Sequence, residues 1–275
     1  MLPDETTYGI KKRVDFLIEI ISRVQPNSVL DVGCGTGSYL TKPLAERFGS
    51  VNFLGIDNDR VSIAFARRSC TLSNLSYSDQ FELPAKDKFD LIICSEVIEH
   101  VENPTEFLSL VTRSLSKDGK IVLTVPNGYG PFEVVSWIES VLYLSGIYGA
   151  LRALKNMLLR RPKTPTDASR DTLAVSPHIN FFSYRGLLRL FGSAGLRVSE
   201  YRPRTFLCGF GLDQLLASGK MIEWNAQFAD ALPRGHNSGW MFLLERGEVT
   251  NNSTYKRGPY AKLRRYLNER RWGIH

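Results

Sequence analysis

The sequence predicts an α/β domain built on a doubly wound, mostly parallel sheet, with a helical insertion after the fifth strand. Apolar runs typical of buried strands alternate with amphipathic helical patterns over residues 25–126, a rhythm that favours a parallel sheet. In such sheets, ligands bind at the carboxyl ends of the strands. Polar or special residues follow the predicted strands at that edge: Asp31, Asp57, Asp79, Ser95 and Pro126.

The first predicted helix covers residues 10–24 and precedes the first strand. Its apolar face is predicted to contain Val14, Leu17, Ile18, Ile21 and Val24. Pro26 ends the helical pattern. The basic residues 11–13 fit a solvated, charged face of this helix.

A glycine-rich loop follows the first strand. Residues 29–32 are apolar apart from Asp31, and Gly33, Gly35 and Gly37 then alternate with other residues. Glycine permits positive φ and lets a ligand approach the backbone, and the helix that begins near residue 39 offers free N–H groups. The spacing G-x-G-x-G differs from the dinucleotide pattern G-x-G-x-x-G, whose third glycine would fall at residue 38. Asp57 ends the next strand, where a carboxylate is placed to accept both hydroxyls of a ribose.

The rest of the domain continues the alternation. Helices are predicted over about 59–70 and from Asn103-Pro104 to about 115, where Asn supplies a cap and Pro suits the first turn. Strands are predicted at 75–77, 90–94 and 120–125, with a turn at Asp118-Gly119. After the insertion, we predict a helix over 184–194 capped by Ser183, a strand at 196–201, a helical region over 206–232 and a last strand at 239–246.

The insertion occupies about residues 127–177. An apolar helical pattern runs over 132–161, and Glu133, Glu139, Arg152 and Lys155 interrupt it. These charges argue against a membrane-spanning helix, so the pattern predicts a helical hairpin hinged at Gly146 or Gly149, followed by a polar loop over 161–170. The basic stretch 247–275 is interpreted as a flexible or surface-packed tail, and contact with an anion is the alternative.

Composition sets broad limits on partners and compartment. The net charge of +7 indicates an anionic partner or surface without choosing between nucleic acid, membrane and acidic substrate. The four cysteines, at 34, 70, 94 and 208, form no C-x-x-C motif, which favours a reduced, cytoplasmic setting. The first residues, MLPDETTYG, show no basic-then-apolar leader.

Three motifs together, VLDVGCGTG, GIDND and FDLIICSEVIEHV, resemble the class I S-adenosylmethionine-dependent methyltransferases. The branch with the ubiquinone-biosynthesis O-methyltransferases is the most similar. The resemblance is good over about 25–126 and looser over 178–202. It implies a Rossmann-like seven-stranded sheet whose last strand is antiparallel, within a domain spanning 1–246. It also implies S-adenosylmethionine as cofactor, bound by Asp31, Gly33, Cys34, Gly35, Gly37, Asp57, Asn58, Asp79, Ser95 and Glu96.

The candidate catalytic residues are His100 and His178, because an oxygen acceptor must lose a proton and histidine titrates near neutral pH. Glu96, Glu99 and His100 are spaced i, i+3, i+4, so one helical turn would bring them to one side. With His178 they form a candidate ligand set for Mg²⁺ or a softer divalent ion, as the resemblance to E-x-x-E-H enzymes also implies. The alternative is that Glu96 only lines the cofactor pocket, Glu99 is solvated and His100 packs at a helix start.

Several functions remain open at this point. The first is O-methylation of a small-molecule, lipid-linked or glycan-linked acceptor, with residues 132–163 as a lid or as a peripheral membrane contact. The alternatives are metal-dependent 2′-O-methylation of RNA and a non-catalytic module that binds the cofactor. The long apolar segment before His178 and the lack of an appended RNA-binding module speak against RNA.

Overall fold

The structure, a computed structural model, describes residues 5–79, 88–147, 177–208, 216 and 218–272. Seven strands form one sheet in the order β3-β2-β1-β4-β5-β7-β6. The strands are β1 Ser28–Val32, β2 Asn52–Ile56, β3 Leu75–Ser78, β4 Phe89–Ser95, β5 Leu115–Pro126, β6 Leu196–Pro203 and β7 Gly239–Arg246. Strand β7 runs antiparallel to both β5 and β6, and β1 to β5 pair in parallel. The predicted doubly wound sheet with a reversed last strand is confirmed.

Helices cover the sheet on both faces. They are α1 Ile10–Val24, α2 Thr41–Arg47, α3 Arg60–Ser69, α4 Pro104–Ser114, α5 Pro131–Leu144, α6 Tyr184–Ser193, α7 Gly219–Ala231 and α8 Pro259–Trp272. The predicted caps are present: the Asn103 side chain accepts from Glu106 N, and that of Ser183 accepts from Gly186 N. Asp59 caps α3 through the N–H groups of Val61 and Ser62.

Two apolar clusters lie on opposite faces of the sheet because successive strand residues point in opposite directions. In β4, Ile92 belongs to the cluster with α4 and α6, whereas Ile93 belongs to the cluster with α1, α2 and α3. The carboxyl ends of β1, β2 and β4 lie side by side in the sheet, since Val32 pairs with Ile56 and with Cys94.

Helix α1 has the predicted bounds but a shifted buried face. Phe16 and Ile20 are buried, whereas Ile18 and Val24 are only half-buried. The prediction of a solvated basic cluster is wrong for Arg13, whose side chain is only 14% exposed and contacts Ser95 and Glu96 at the end of β4.

Other local predictions need correction. The turn at Asp118-Gly119 lies inside β5, where the register against β4 jumps from Leu115 to Lys120, so residues 116–119 form a bulge. Residues 206–208 are not helical, and their backbone is bound to the Asn225 side chain.

Only the beginning of the insertion is described. Helix α5 is followed by Gly146 at φ +78°, and Gly149 and the segment 148–176, with the rest of the predicted hairpin and polar loop, lie outside the described residues. Among the helices that the structure describes, none combines the length and the apolar character that crossing a membrane requires.

The basic stretch 247–275 contains helix α8, which packs against α5. Arg264 on this helix is fully buried and paired with Glu133. Of the two interpretations of the tail, flexible or surface-packed, the second describes residues 259–272, and Arg264 is built into the domain.

Candidate active site

The glycine loop after β1 has the backbone that the motif predicts. Gly33, Gly35 and Gly37 all have positive φ, of 74°, 55° and 69°. A Cβ atom on Gly37 would lie 2.1 Å from the hydroxyl oxygen of Tyr77. Glycine is thus required at position 37 by both conformation and space.

Two buried carboxylates frame this loop. Asp57 Oδ2 accepts a hydrogen bond from Gly35 N at 2.8 Å, and its Oδ1 accepts from Asp59 N at 2.9 Å. Asp31 accepts from Thr41 Oγ1 at 2.6 Å, which ties β1 to α2. Burial, with the nearby charge of Asp57, raises the pKa of Asp31 to about 7. Asp57 thus fixes the loop backbone at Gly35, and Asp31 fixes the first residue of the helix that follows the loop.

The remaining predicted cofactor residues lie around the same edge. Asn58 is exposed beside Asp57, and Cys34 is half-buried in the loop. Asp79 pairs with Arg67 at 2.9 Å, so its carboxylate is engaged by a surface arginine. Any contact of Asp79 with the cofactor would then use its backbone or the remaining lone pairs of its carboxylate.

Glu96, just after β4, is held in a buried network of two arginines. Its Oε2 pairs with Arg204 Nη1 and its Oε1 accepts from Thr124 Oγ1 at 2.8 Å, with Arg13 Nη1 at 4.0 Å. Burial alone would raise the pKa of Glu96, but the charges of Arg204 and Arg13 outweigh it and bring the pKa to about 2. The residue has φ +57°, a conformation that is uncommon outside glycine and frequent at functional sites.

Glu99, His100 and His178 form a compact cluster next to this network. One carboxylate oxygen and one nitrogen of each ring lie within 4.8 Å of one another. The two rings meet edge to face, with centroids 5.0 Å apart. Glu96 was predicted to share this group, but its carboxylate is committed to the arginines and lies outside the cluster. The predicted four-residue ligand set is therefore reduced to three.

The ring nitrogens are oriented by their outer partners. His100 Nδ1 lies 3.2 Å from the carbonyl oxygen of Pro177, and His178 Nδ1 lies 2.7 Å from Glu133 Oε1. Because carbonyl and carboxylate oxygens accept, each Nδ1 carries the proton in these contacts, and each Nε2 remains for the cluster. His100 Nε2 indeed lies 4.0 Å from Glu99 Oε1.

Glu99 is the unusual member of the cluster. Its side chain is 1% exposed, and neither carboxylate oxygen has a hydrogen-bond partner in the structure. Burial and the charge of Glu96 raise its pKa to about 8. Burial also lowers the pKa of His100, to about 4. A buried carboxyl without partners, facing two imidazoles, is suited to bind a cation or to exchange a proton.

Sequence reasoning missed the residues that hold this cluster from outside. Glu133, Arg204 and Arg264 are all buried at the site. The one local signal was Glu133, the acid in the first turn of a helix with an apolar exposed stripe. The two arginines gave no such signal, because each meets its carboxylate partner across more than one hundred residues of sequence.

Comparisons with known proteins agree with this geometry. Residues 5–201 match the family model described as a methyltransferase domain. The chain is 31% identical over 123 residues to the ubiquinone biosynthesis O-methyltransferase of Rickettsia canadensis, which covers 42% of this chain and 51% of that protein. The chain thus spans about half the length of such curated relatives.

Solved structures share the fold at low sequence identity. The O-methyltransferase from the trans-AT PKS multienzyme of Brevibacillus brevis, in complex with S-adenosyl-L-homocysteine, has a TM-score of 0.52 at 14% identity, covering 96% of this chain and 79% of that one. The [4+2]-cyclase SpnF has a TM-score of 0.51 at 16% identity, covering 86% and 80%. A fold shared with a cyclase does not fix a reaction.

Proposed function

This chain belongs to the methyltransferase domain family, and from that premise we propose that it transfers the methyl group of S-adenosylmethionine to an oxygen of a small or lipid-linked acceptor. One observation carries the proposal: the glycine loop with Asp57 and the Glu99–His100–His178 cluster, in which Glu99 is buried and both histidines are half-buried, lie at the same edge of the sheet. The first part suits a nucleoside cofactor, and the second suits the removal of a hydroxyl proton.

Asp57 and the glycine loop would hold the nucleoside. Two backbone N–H groups already orient the Asp57 carboxylate, and its remaining lone pairs are available to two ribose hydroxyls. The Arg13 side chain is 14% exposed, and its buried Nε has no hydrogen-bond partner among the residues that the structure describes. This cation would meet the cofactor's carboxylate. When bound, S-adenosylmethionine supplies an electrophilic methyl group on a sulfonium.

The histidines would act on the acceptor. With its pKa lowered, His100 is neutral at pH 7, and its Nε2 lone pair is free to accept the proton of an approaching hydroxyl. His178 lies across the cluster with its Nδ1 fixed by Glu133. Burial alone would lower the pKa of His178, but the charge and hydrogen bond of Glu133 outweigh it and raise the pKa. His100 would therefore take the proton, and both rings would align the acceptor oxygen, which is a large part of what an enzyme adds to a displacement.

A divalent cation fits the same three residues. The orphaned oxygens of Glu99, beside His100 and His178, offer one carboxylate and two imidazoles. The sequence left Mg²⁺ and softer divalent ions open, and this donor set suits Mn²⁺ or Zn²⁺ better than the oxygen-preferring Mg²⁺. Bound there, the cation would lower the pKa of an acceptor hydroxyl.

A lipid-linked acceptor is favoured by the outer face of α5. Its apolar residues lie 41–49% exposed on one outward stripe: Val134, Trp137, Ile138, Val141 and Leu144. Glu133 and Ser136 of the same helix contact Arg264 of α8. Arg271 of α8 lies over the rings of Tyr143 and Trp272. An apolar stripe beside aromatic rings and cations is typical of helices that lie on anionic membranes.

Flotation with vesicles tests the membrane contact. The chain should float with vesicles of phosphatidylcholine and phosphatidylglycerol, and Ile138→Ser/Val141→Ser should float several-fold less. The control Val61→Ser removes a more exposed valine, 74% accessible on α3, and should float like the wild type. Equal flotation of all three proteins would refute a contact through the outward stripe.

Isothermal titration with S-adenosylhomocysteine tests the cofactor site. Asp57→Asn should weaken binding about 10- to 100-fold, since hydrogen bonds to a charged group contribute about 1.5–3 kcal/mol each. Asp90→Asn is the matched control, because Asp90 accepts from Asn27 N at the opposite edge of the sheet. Binding of a nicotinamide dinucleotide in place of S-adenosylhomocysteine would refute the proposal.

RNA as the acceptor is the rival supported by the E-x-x-E-H pattern and the net charge of +7. Binding to RNA would lose affinity steeply between low and moderate salt, because cationic contacts to phosphates release counterions. Strong, salt-sensitive RNA binding without vesicle flotation would favour this rival.

A further inference from the structure

Helix α8 lies beyond residues 5–201, which match the family model, yet it reaches the candidate site. Two of its side chains do so. Arg264 Nη2 donates to Glu133 Oε2 at 2.6 Å, and Asn268 Nδ2 donates to the backbone carbonyl of His178 at 3.0 Å. Glu133 in turn accepts from His178 Nδ1 at 2.7 Å.

Two members of the relay formed by Arg264, Glu133 and His178 are shielded from solvent. The side chains of Arg264 and Glu133 are 0% and 2% exposed, and that of His178 is 20% exposed. The Arg264 guanidinium also lies 5.2 Å from the centre of the Phe181 ring, and its Nη2 lies 3.3 Å from Ser136 Oγ. Exposed ion pairs contribute little, but a pair buried this deeply fixes both groups in one arrangement.

We propose that Arg264 and Glu133 are positioning residues for His178, and that α8 thereby completes the active site of this chain. Arg264 fixes the Glu133 carboxylate through Oε2, so that Oε1 faces His178 and accepts its Nδ1–H. The ring proton is then held at Nδ1, and Nε2 faces Glu99 and His100. This inference rests on the proposed function for its catalytic consequence only.

An imidazole that acts through one ring nitrogen is oriented by the hydrogen bond that its other ring nitrogen makes. The partner of one ring nitrogen selects the tautomer and the ring orientation of the other. Without Arg264, the buried carboxyl would take up a proton or swing away, and either change would release the ring. Loss of such outer partners lowers activity or metal affinity about 10- to 100-fold in comparable sites.

The decisive variant is Glu133→Met/Arg264→Met, which removes both buried charges together and replaces them with apolar side chains of similar length. Such replacements often leave stability unchanged, and a thermal melt checks this. Arg265→Gln is the matched control, because it removes one charge from the adjacent position of α8, where Arg265 pairs with Glu102 and Glu269. Arg264→Lys keeps the charge and serves as the conservative variant.

The first readout is the ¹⁵N imidazole NMR spectrum of the full chain, with the His178 signal assigned by its loss in His178→Ala. We expect a protonated Nδ1 on His178 in the wild type, Arg265→Gln and Arg264→Lys. In the double variant we expect the proton to move to Nε2. A wild-type spectrum with His178 in the Nε2–H form would overturn the proposal by itself, whether or not the double variant folds.

The second readout is turnover with tritiated S-adenosylmethionine and a prenylated catechol in phosphatidylcholine vesicles. We expect kcat of the double variant to fall 10- to 100-fold, with unchanged affinity for S-adenosylhomocysteine. Arg264→Lys should keep most of the wild-type kcat. Turnover within threefold of the wild type in the double variant would overturn the positioning role. If the wild type neither binds S-adenosylhomocysteine nor turns over, the proposed function fails, and the NMR result still decides the positioning of His178.

Discussion

Replacing Glu99 by glutamine should stabilise the protein above pH 8 and leave its stability below pH 5 nearly unchanged. The folded protein raises the pKa of this carboxyl from its ordinary 4.5 to about 8. Between these two values the folded state keeps a proton that the unfolded state releases. The wild type therefore loses stability as the pH rises from 4.5 to 8, whereas a glutamine at this position has no charge to lose.

The size of the effect follows from the same two pKa values. Each unit of difference corresponds to about 1.4 kcal/mol, so ionising Glu99 in the folded state costs at most about 5 kcal/mol above pH 8. The neighbouring Glu96 acts in another window, because its pKa is lowered to about 2. Its stabilising contribution is complete above its ordinary pKa of 4.5 and is lost as the pH falls towards 2.

Urea unfolding of wild type and Glu99→Gln from pH 5 to pH 9, in the presence of a chelator, measures this difference. Glu46→Gln, at an exposed position on α2, controls for the loss of a carboxyl. The difference between Glu99→Gln and wild type should grow with pH and approach its limit near pH 9. Parallel pH profiles of the two proteins would refute the assignment of Glu99 as a buried, unpaired carboxyl.

Three further predictions concern the loop, the histidines and the cation. Gly37→Ala should abolish binding of S-adenosylhomocysteine in a titration, because the new Cβ would lie 2.1 Å from the Tyr77 hydroxyl oxygen. Gly49→Ala is the control, because its Cβ meets open space and the variant should bind normally. Equal binding by both variants would contradict the loop geometry. His100→Ala and His178→Ala should each lower kcat at least 100-fold with cofactor affinity nearly unchanged, and unchanged turnover in both would leave alignment by other groups as the only source of catalysis. If a cation is required, a chelator should abolish turnover and added Mn²⁺ should restore it, and full activity in chelator would exclude that role.

Much of the fold could be predicted because its signals are local. The apolar runs of β1 and β4, the positive-φ glycines and the Asn103 and Ser183 caps each depend on residues a few positions apart. Strand β7 has the predicted bounds. Because these features depend on residues close together in the chain, they can be predicted from the sequence alone.

The layout of the site was less predictable because its contacts are distant in sequence. The E-x-x-E-H spacing placed Glu96 with Glu99 and His100, but Arg204, 108 residues further on, draws the Glu96 carboxylate away. The basic tail was interpreted as flexible or surface-packed, because no residue near Arg264 in the sequence indicates that this arginine is buried against Glu133 on α5. Burial of a charge depends on a partner that only the folded chain supplies.

Transfer of tritium from S-adenosylmethionine labelled on its methyl group tests the central claim most directly. The purified chain would be incubated with this cofactor and, separately, with lipid, soluble small-molecule and RNA extracts. We predict label in the lipid fraction with release of S-adenosylhomocysteine, and loss of that label in His100→Ala. Label in RNA alone would contradict the proposed acceptor, and absence of label from every fraction would contradict methyl transfer itself.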